Sequence, residues 1–320
     1  MARRKNALDQ TDLLPNHAPI YAVDDWDSAV DLFLRDGKIR NISKHTIGFY
    51  RQELGKFKRI LDEQKISTDP NKITEEIIKT NVILYLLDDE QKATSINCVL
   101  RAIRTLFNFL VKESYLLRSP MTRVKLLSQK NTIIKAFSTE QIHRLFAQPD
   151  QKTFVGVRDL TIMMIFMETG IRLRELEDLT LDDIVWREGT VLVNGKNNSQ
   201  RLVPIQALMK KQLSKYVALR GQLEHNSLFV TIDNTPITKR QVQEQIAFYG
   251  RRAGLTDVRC SPHTFRHTFA KMSVQNGADV FALQAVLGHA TLDQVRTYVN
   301  LFSYEIHNKH RKFSPIEKMF

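Results

Sequence analysis

Through the first third of the chain, apolar residues recur three and four positions apart, the spacing that lines one face of a helix. Residues 24–36 carry Trp26, Val30, Phe33 and Leu34 in this way. Ser43 is placed to cap a long helix whose inner face is Ile47, Tyr50, Leu54, Phe57 and Leu61. Residues 73–87 and 93–110 predict two more helices, the second with Ile96, Leu100, Ile103, Leu106, Phe107 and Leu110 on its stripe and Arg101 and Arg104 off it. Together they predict a small all-helical domain over 24–117. Residues 1–23, with Pro15 and Pro19 and little periodicity, read as a flexible N-terminal arm. The period is lost again over 118–136, where Ser119-Pro120 sits among Arg118, Arg123, Lys125, Lys130 and Lys135. This stretch reads as a basic linker with extended backbone, although an ordinary solvated connection has the same composition.

A second unit, 137–320, opens at Phe137. Ser138-Thr139-Glu140-Gln141 is a capping box for a short helix to Phe146. Residues 158–168 are apolar enough for a buried helix, ended by Thr169-Gly170, and residues 171–176 start another. Three short β-rich runs, 184–186, 190–193 and 201–205, are separated by Glu188-Gly189 and by Asn194-Gly195-Lys196-Asn197-Asn198. They predict a three-stranded antiparallel sheet. Residues 206–220, 238–252, 262–274, 280–287 and 291–299 read as helices. The fold class is therefore mainly α with one small antiparallel β-sheet, in two domains.

Composition narrows the partners. The chain has 320 residues, 42% apolar and 26% charged, as globular domains do. Its formal net charge is +12, and both domains share the excess, so a polyanion, nucleic acid before a membrane, is the expected partner. No apolar run reaches membrane-spanning length, and the basic N-terminus lacks the apolar stretch of a signal peptide. Two cysteines, Cys98 and Cys260, make no metal-ligand cluster and point to a reducing cytoplasm.

Candidate chemistry sits at the punctuation marks. In Ser261-Pro262-His263-Thr264-Phe265-Arg266-His267, a capping serine and a first-turn proline put His263 and Arg266 one turn apart at a helix start. Free N–H groups and the helix dipole make that turn a candidate phosphate site, although a capping histidine beside a surface arginine has the same sequence. His267, one residue beyond, reads as structural. His263 and His267 have zinc-ligand spacing, but the glutamate usual between such ligands is missing. In Thr169-Gly170-Ile171-Arg172, with Glu175 three residues on, the carboxylate can orient Arg172, and taken alone the two read as a surface ion pair. Leu287-Gly288-His289 marks a helix stop, and Tyr298 lies two turns into the next helix.

The set Arg172, Lys196, His263, Arg266, His289 and Tyr298 resembles the tyrosine recombinases, the phage-type integrases and Xer-like resolvases. That family is marked by an Arg after Thr-Gly, a hairpin Lys, His-x-x-Arg, Leu-Gly-His and a Tyr nine residues beyond that His, and each mark is present. Glu175 matches the acidic position after the first Arg. The match is close over 137–299, and the helical N-terminal domain resembles the family's core-binding domain in pattern.

The resemblance implies a site-specific recombinase that cleaves and rejoins double-stranded DNA at the nucleoid through a 3′-phosphotyrosine. Tyr298 would attack, with His263 as proton acceptor and His289 as hydrogen-bond donor to the phosphate. Arg172 and Arg266 would neutralise the phosphate, and Lys196, near Arg201, would protonate the leaving oxygen. No cofactor or metal is implied. The expected assembly is a tetramer on two DNA sites, with the apolar and basic residues after Asn300 docking on a neighbouring protomer or on their own domain. Accessory DNA-binding proteins are compatible with it. Alternatives are DNA relaxation by a type IB topoisomerase chemistry and a non-catalytic DNA-binding regulator.

Overall fold

A computed structural model describes residues 23–129, 135–195 and 199–288. The chain divides into two compact units, Met1–Asn131 and Thr132–Phe320. Lys196, His289 and Tyr298 lie outside the described residues, as do the N-terminal arm, the predicted helix at 291–299 and the segment after Asn300.

The first unit is all helical. α1 (Trp26–Ile39) starts at Asp25, whose carboxylate accepts from the Ser28 N–H, and α2 (Lys44–Glu63) starts at Ser43, whose hydroxyl accepts from the Thr46 N–H. Each cap satisfies a backbone donor that the helix itself leaves unpaired. The predicted helix at 73–87 is one run in three pieces: α3 (Glu75–Ile77), a π-helical stretch Ile78–Leu84, and α4 (Tyr85–Asp88). Its wide middle has a cause. The Gln64 amide at the end of α2 donates to the Asn81 carbonyl at 2.7 Å, and the Tyr85 N–H turns to the Thr80 and Val82 carbonyls instead. α5 (Ala93–Lys112) buries the predicted apolar stripe.

Trp26 is the centre of this core, with the Phe57 ring 4.8 Å and the Phe107 ring 6.3 Å from it. Residues 118–129 of the basic stretch after α5 are non-helical, but not simply solvated. Met121 and Val124 are buried in the core. The Asn97 side chain pairs with both backbone groups of Leu127, and Arg104 donates to the Val124 carbonyl. Charge hid two apolar anchors that the helical period could not reveal.

The second unit is built around α7 (Phe154–Thr169), a helix apolar on every side and so covered on every side. α9 (Ala207–Arg220), α10 (Lys239–Arg252) and α11 (Pro262–Gln275) pack on it. α6 (Thr139–Phe146) opens with the expected Ser138–Gln141 capping box. Phe137, Phe146 and Phe166 surround the fully buried Phe265 ring at 5.1–6.3 Å. The three strands form an antiparallel sheet in chain order: β1 (Ile184–Val185), β2 (Thr190–Asn194) and β3 (Gln200–Pro204). Val193 faces Arg201 and Val191 faces Val203 across β2 and β3. α12 (Val280–Leu287) packs beside β3 and α11. Among the described residues no helix is long and apolar enough to cross a membrane.

Candidate active site

The site begins where α7 stops. Gly170 ends that helix at φ +59°, the left-handed conformation that glycine adopts without steric cost. A methyl group at its Cα would overlap the Phe269 ring and come within 2.8 Å of Leu287 Cδ2. The chain can therefore turn closely against α11 and α12 only with glycine here. Two residues on, Arg172 opens α8 (Leu173–Glu177) in the reach of Glu175.

Glu175 is no surface partner, contrary to the reading of Arg172–Glu175 as an exposed pair. It is 4% exposed, and its carboxylate accepts from two arginines. Arg172 donates its backbone N–H to Oε2 and its Nη1 to Oε1, both at 2.8 Å. Arg201 of β3 forks onto the same oxygens, Nη1 to Oε1 at 3.2 Å and Nη2 to Oε2 at 2.7 Å. Burial pushes this carboxyl up, but hydrogen bonds from Arg201 and Arg172 and their charges outweigh it and hold the group below its ordinary value. It stays an anion and a firm anchor, while the Arg172 side chain keeps 39% of its surface exposed.

Arg266 enters from α11. Ser261 caps this helix by accepting from the Thr264 N–H, and Pro262 takes the first helical position, as the sequence predicts. His263 in that first turn is exposed, whereas Arg266 is 6% exposed and is not the surface arginine of the ordinary reading. Its Nη1 donates to the Gly170 carbonyl at 2.6 Å and its Nη2 to the Leu287 carbonyl at 2.8 Å.

The end of α12 draws these groups together. A helix leaves its last carbonyls without intrahelical donors. Here three successive carbonyls accept from three different arginines: Val286 from Arg201 Nε at 2.8 Å, Leu287 from Arg266, and Gly288 from Arg172 Nη2 at 3.3 Å. Gly288 itself takes φ +62°, and His289 is the next residue in the sequence. Three guanidiniums meet at this turn and one buried carboxylate neutralises part of their charge, accepting from Arg172 and Arg201, so the assembled corner is net cationic and suits an anion with several oxygens.

His267 lies beside this corner. Burial, then His263 and Arg266, hold its imidazole below the ordinary histidine value, so it is neutral where an exposed histidine would begin to charge. Among the described residues no group of three His, Cys, Asp or Glu side chains could hold a metal ion. The structure thus brings Arg172, Glu175 and Arg266 to one corner with His263 one turn from Arg266. Lys196, His289 and Tyr298 lie outside the described residues. Sequence reasoning underweighted Arg201, noted only as a neighbour of Lys196. The signal was the strand period: Arg201 shares a face with Val203, which is fully buried, so a charge there needs an inner partner.

Comparison with known proteins follows this geometry. Residues 135–304 match the Phage integrase family, and residues 30–114 match the Phage integrase, N-terminal SAM-like domain. Tyrosine recombinase XerD of Staphylococcus haemolyticus is 30% identical over 285 residues, covering 86% of this chain and 94% of that protein. Among solved structures, the XerH site-specific recombinase in its post-cleavage complex on palindromic difH substrate superposes with a TM-score of 0.71 at 21% identity. The match spans 89% of this chain and 84% of that one. A lambda integrase tetramer bound to a Holliday junction superposes at 0.69 and 18% identity, covering 90% and 83%.

Proposed function

The chain belongs to the phage integrase family, and from that premise we propose how its own residues cut and rejoin DNA. It is a tyrosine-type site-specific DNA recombinase that acts through a 3′-phosphotyrosine intermediate. The observation that supports the residue roles is the joint anchoring of Arg172 and Arg266 on neighbouring carbonyls of one turn, Gly288 and Leu287.

A phosphodiester is an anion, and attack on phosphorus concentrates more charge on its non-bridging oxygens. Two guanidiniums held before the reaction starts stabilise that charge without reorganising. Arg172 and Arg266 take this role. The Tyr298 phenol attacks phosphorus, and the bond to the 5′-oxygen breaks. His263, exposed in the first turn of α11, accepts the phenolic proton, and Lys196 gives a proton to the leaving oxygen. His289, covalently next to Gly288, donates a hydrogen bond to a phosphate oxygen. The covalent ester conserves the bond energy, so a 5′-hydroxyl attacking it reseals DNA with no added energy source. Strand exchange results when that hydroxyl comes from a partner duplex.

Self-association on DNA follows from the same chemistry, because exchange needs two duplexes and two breaks in each. A tetramer on two DNA sites at the nucleoid is the assembly we propose, with the segment after Asn300 as a contact between protomers and with room for accessory DNA-binding proteins. The role assignment is tested with nicked duplexes carrying DNA from beside the gene. Wild-type protein is expected to become covalently joined to DNA, and Tyr298→Phe to bind the same duplex without joining it. Covalent product from the phenylalanine variant would overturn the nucleophile. Relaxation of plasmids regardless of sequence would instead indicate topoisomerase chemistry.

A further inference from the structure

Resting on that recombinase reading, the geometry points to Arg201 as a positioning residue for DNA cleavage: its guanidinium ties the hairpin arm β3 both to Glu175, the acceptor that orients Arg172, and to the last turn of α12.

Each nitrogen of the guanidinium has a use. Nε holds the Val286 carbonyl at 2.8 Å, and the two terminal nitrogens bracket the Glu175 carboxylate. Both Glu175 oxygens also accept from Arg172. Arg172 is therefore oriented through a carboxylate that Arg201 orients in turn. A second route runs through the backbone. The Gly288 carbonyl accepts from Arg172 Nη2, and the same glycine lies against Arg201: a Cβ on it would fall 2.8 Å from Nη1 and 3.0 Å from Cζ. Arg201 thus bonds one acceptor of the exposed Arg172 side chain and packs against the residue that carries the other.

The connection reaches further along the chain. Arg201 is five residues from Lys196 on the same hairpin and lies against the glycine that precedes His289. A shift of the hairpin arm is transmitted to the Glu175 carboxylate and to the Gly288 turn together. Lysine cannot replace it, because one ammonium nitrogen cannot bracket two carboxylate oxygens and also reach a carbonyl behind them. Among the described residues, the charged groups that bond Glu175 are Arg172, from its own helix start, and Arg201, from β3. Removing Arg201 leaves a buried carboxylate with one cationic neighbour, and the carboxylate then takes up a proton more readily as pH falls.

The test compares wild type, Arg201→Ala and Arg201→Lys in single-turnover covalent trapping on the nicked duplexes above, at saturating protein. Affinity for the same DNA and thermal unfolding are measured alongside. A displacement of a catalytic group by about 1 Å can cost on the order of 100-fold in rate, and a loss of that order is expected for Arg201→Ala with DNA affinity unchanged. The lysine variant, which keeps charge and much of the bulk, is expected to recover little. It also keeps the test decisive if the alanine variant folds poorly. Arg201→Ala should lose rate more steeply than wild type as pH is lowered from neutral, because Glu175, left with fewer donors and less positive charge beside it, takes up its proton sooner. Gly288→Ala should slow cleavage in wild type and cost less when Arg201 is already alanine, since the two share one contact. Cleavage at the wild-type rate by folded Arg201→Lys, or rate losses matched by equal losses of affinity, would overturn the proposal. Failure of the wild type itself to trap DNA would instead overturn the recombinase reading beneath it.

Discussion

The three carbonyls that end α12 explain why this corner is built from arginine. Each needs a donor, and each donor must keep a positive charge available beside it. Arg266 carries the largest share, since it is buried and holds carbonyls from two segments, Gly170 and Leu287. Arg266→Ala should slow covalent trapping by about 100- to 1000-fold, the usual cost of losing one preorganised donor. It should also lower stability, because each stranded carbonyl costs about 1–3 kcal/mol, which urea unfolding reads directly. His267 adds a pH dependence. Its folded-state value lies below the ordinary 6.5, chiefly through burial, so the unfolded chain binds the proton first. Stability should hold above that range and fall as pH drops through it toward the folded value. His267→Gln should flatten the decline in denaturation midpoints measured across that range. His263, Arg266 and Arg172 were legible as residues because each follows a cap, a proline or a glycine in the sequence. The buried state of Glu175 was not, because an Arg and a Glu three apart look the same on a surface.

At the scale of elements, local signals carried well. The capping box at Ser138, the serine caps at Ser43 and Ser261, and the glycine stops at Gly170 and Gly288 all involve residues within a turn of one another. The π-helical stretch at Ile78–Leu84 was out of reach, since its cause is Gln64 on another helix. So were the Met121 and Val124 anchors, hidden among basic residues. Gly170 joins element to site: it stops α7, lets Phe269 and Leu287 approach, and presents its carbonyl to Arg266. Gly170→Ala should therefore cost at least about 1–2 kcal/mol from the left-handed backbone alone, with steric overlap in addition. Cleavage should slow as Arg266 loses its seat. A denaturation midpoint and trapping rate equal to wild type would contradict this account.

At the scale of the whole chain, two separate hydrophobic cores lie on either side of the boundary at Asn131. Each is closed by its own aromatic centre, Trp26 in one and Phe265 in the other. Fragments 1–131 and 132–320 are therefore expected to fold independently, each with a cooperative urea transition followed by circular dichroism. A fragment without a transition would show that its core depends on the other. The charge of +12 set the class of partner, and the periods of the apolar residues set the helices and the sheet, because both depend on composition and near neighbours. The spacing of six chemical residues set the family for the same reason. Contacts across long stretches of chain decided the rest. The Arg201–Glu175 fork joins residues 26 apart, and Arg266 holds a carbonyl 96 residues away. No local pattern encodes such a meeting, because it exists only once α7, the sheet, α11 and α12 have packed and left one carboxylate and three carbonyls in need of donors.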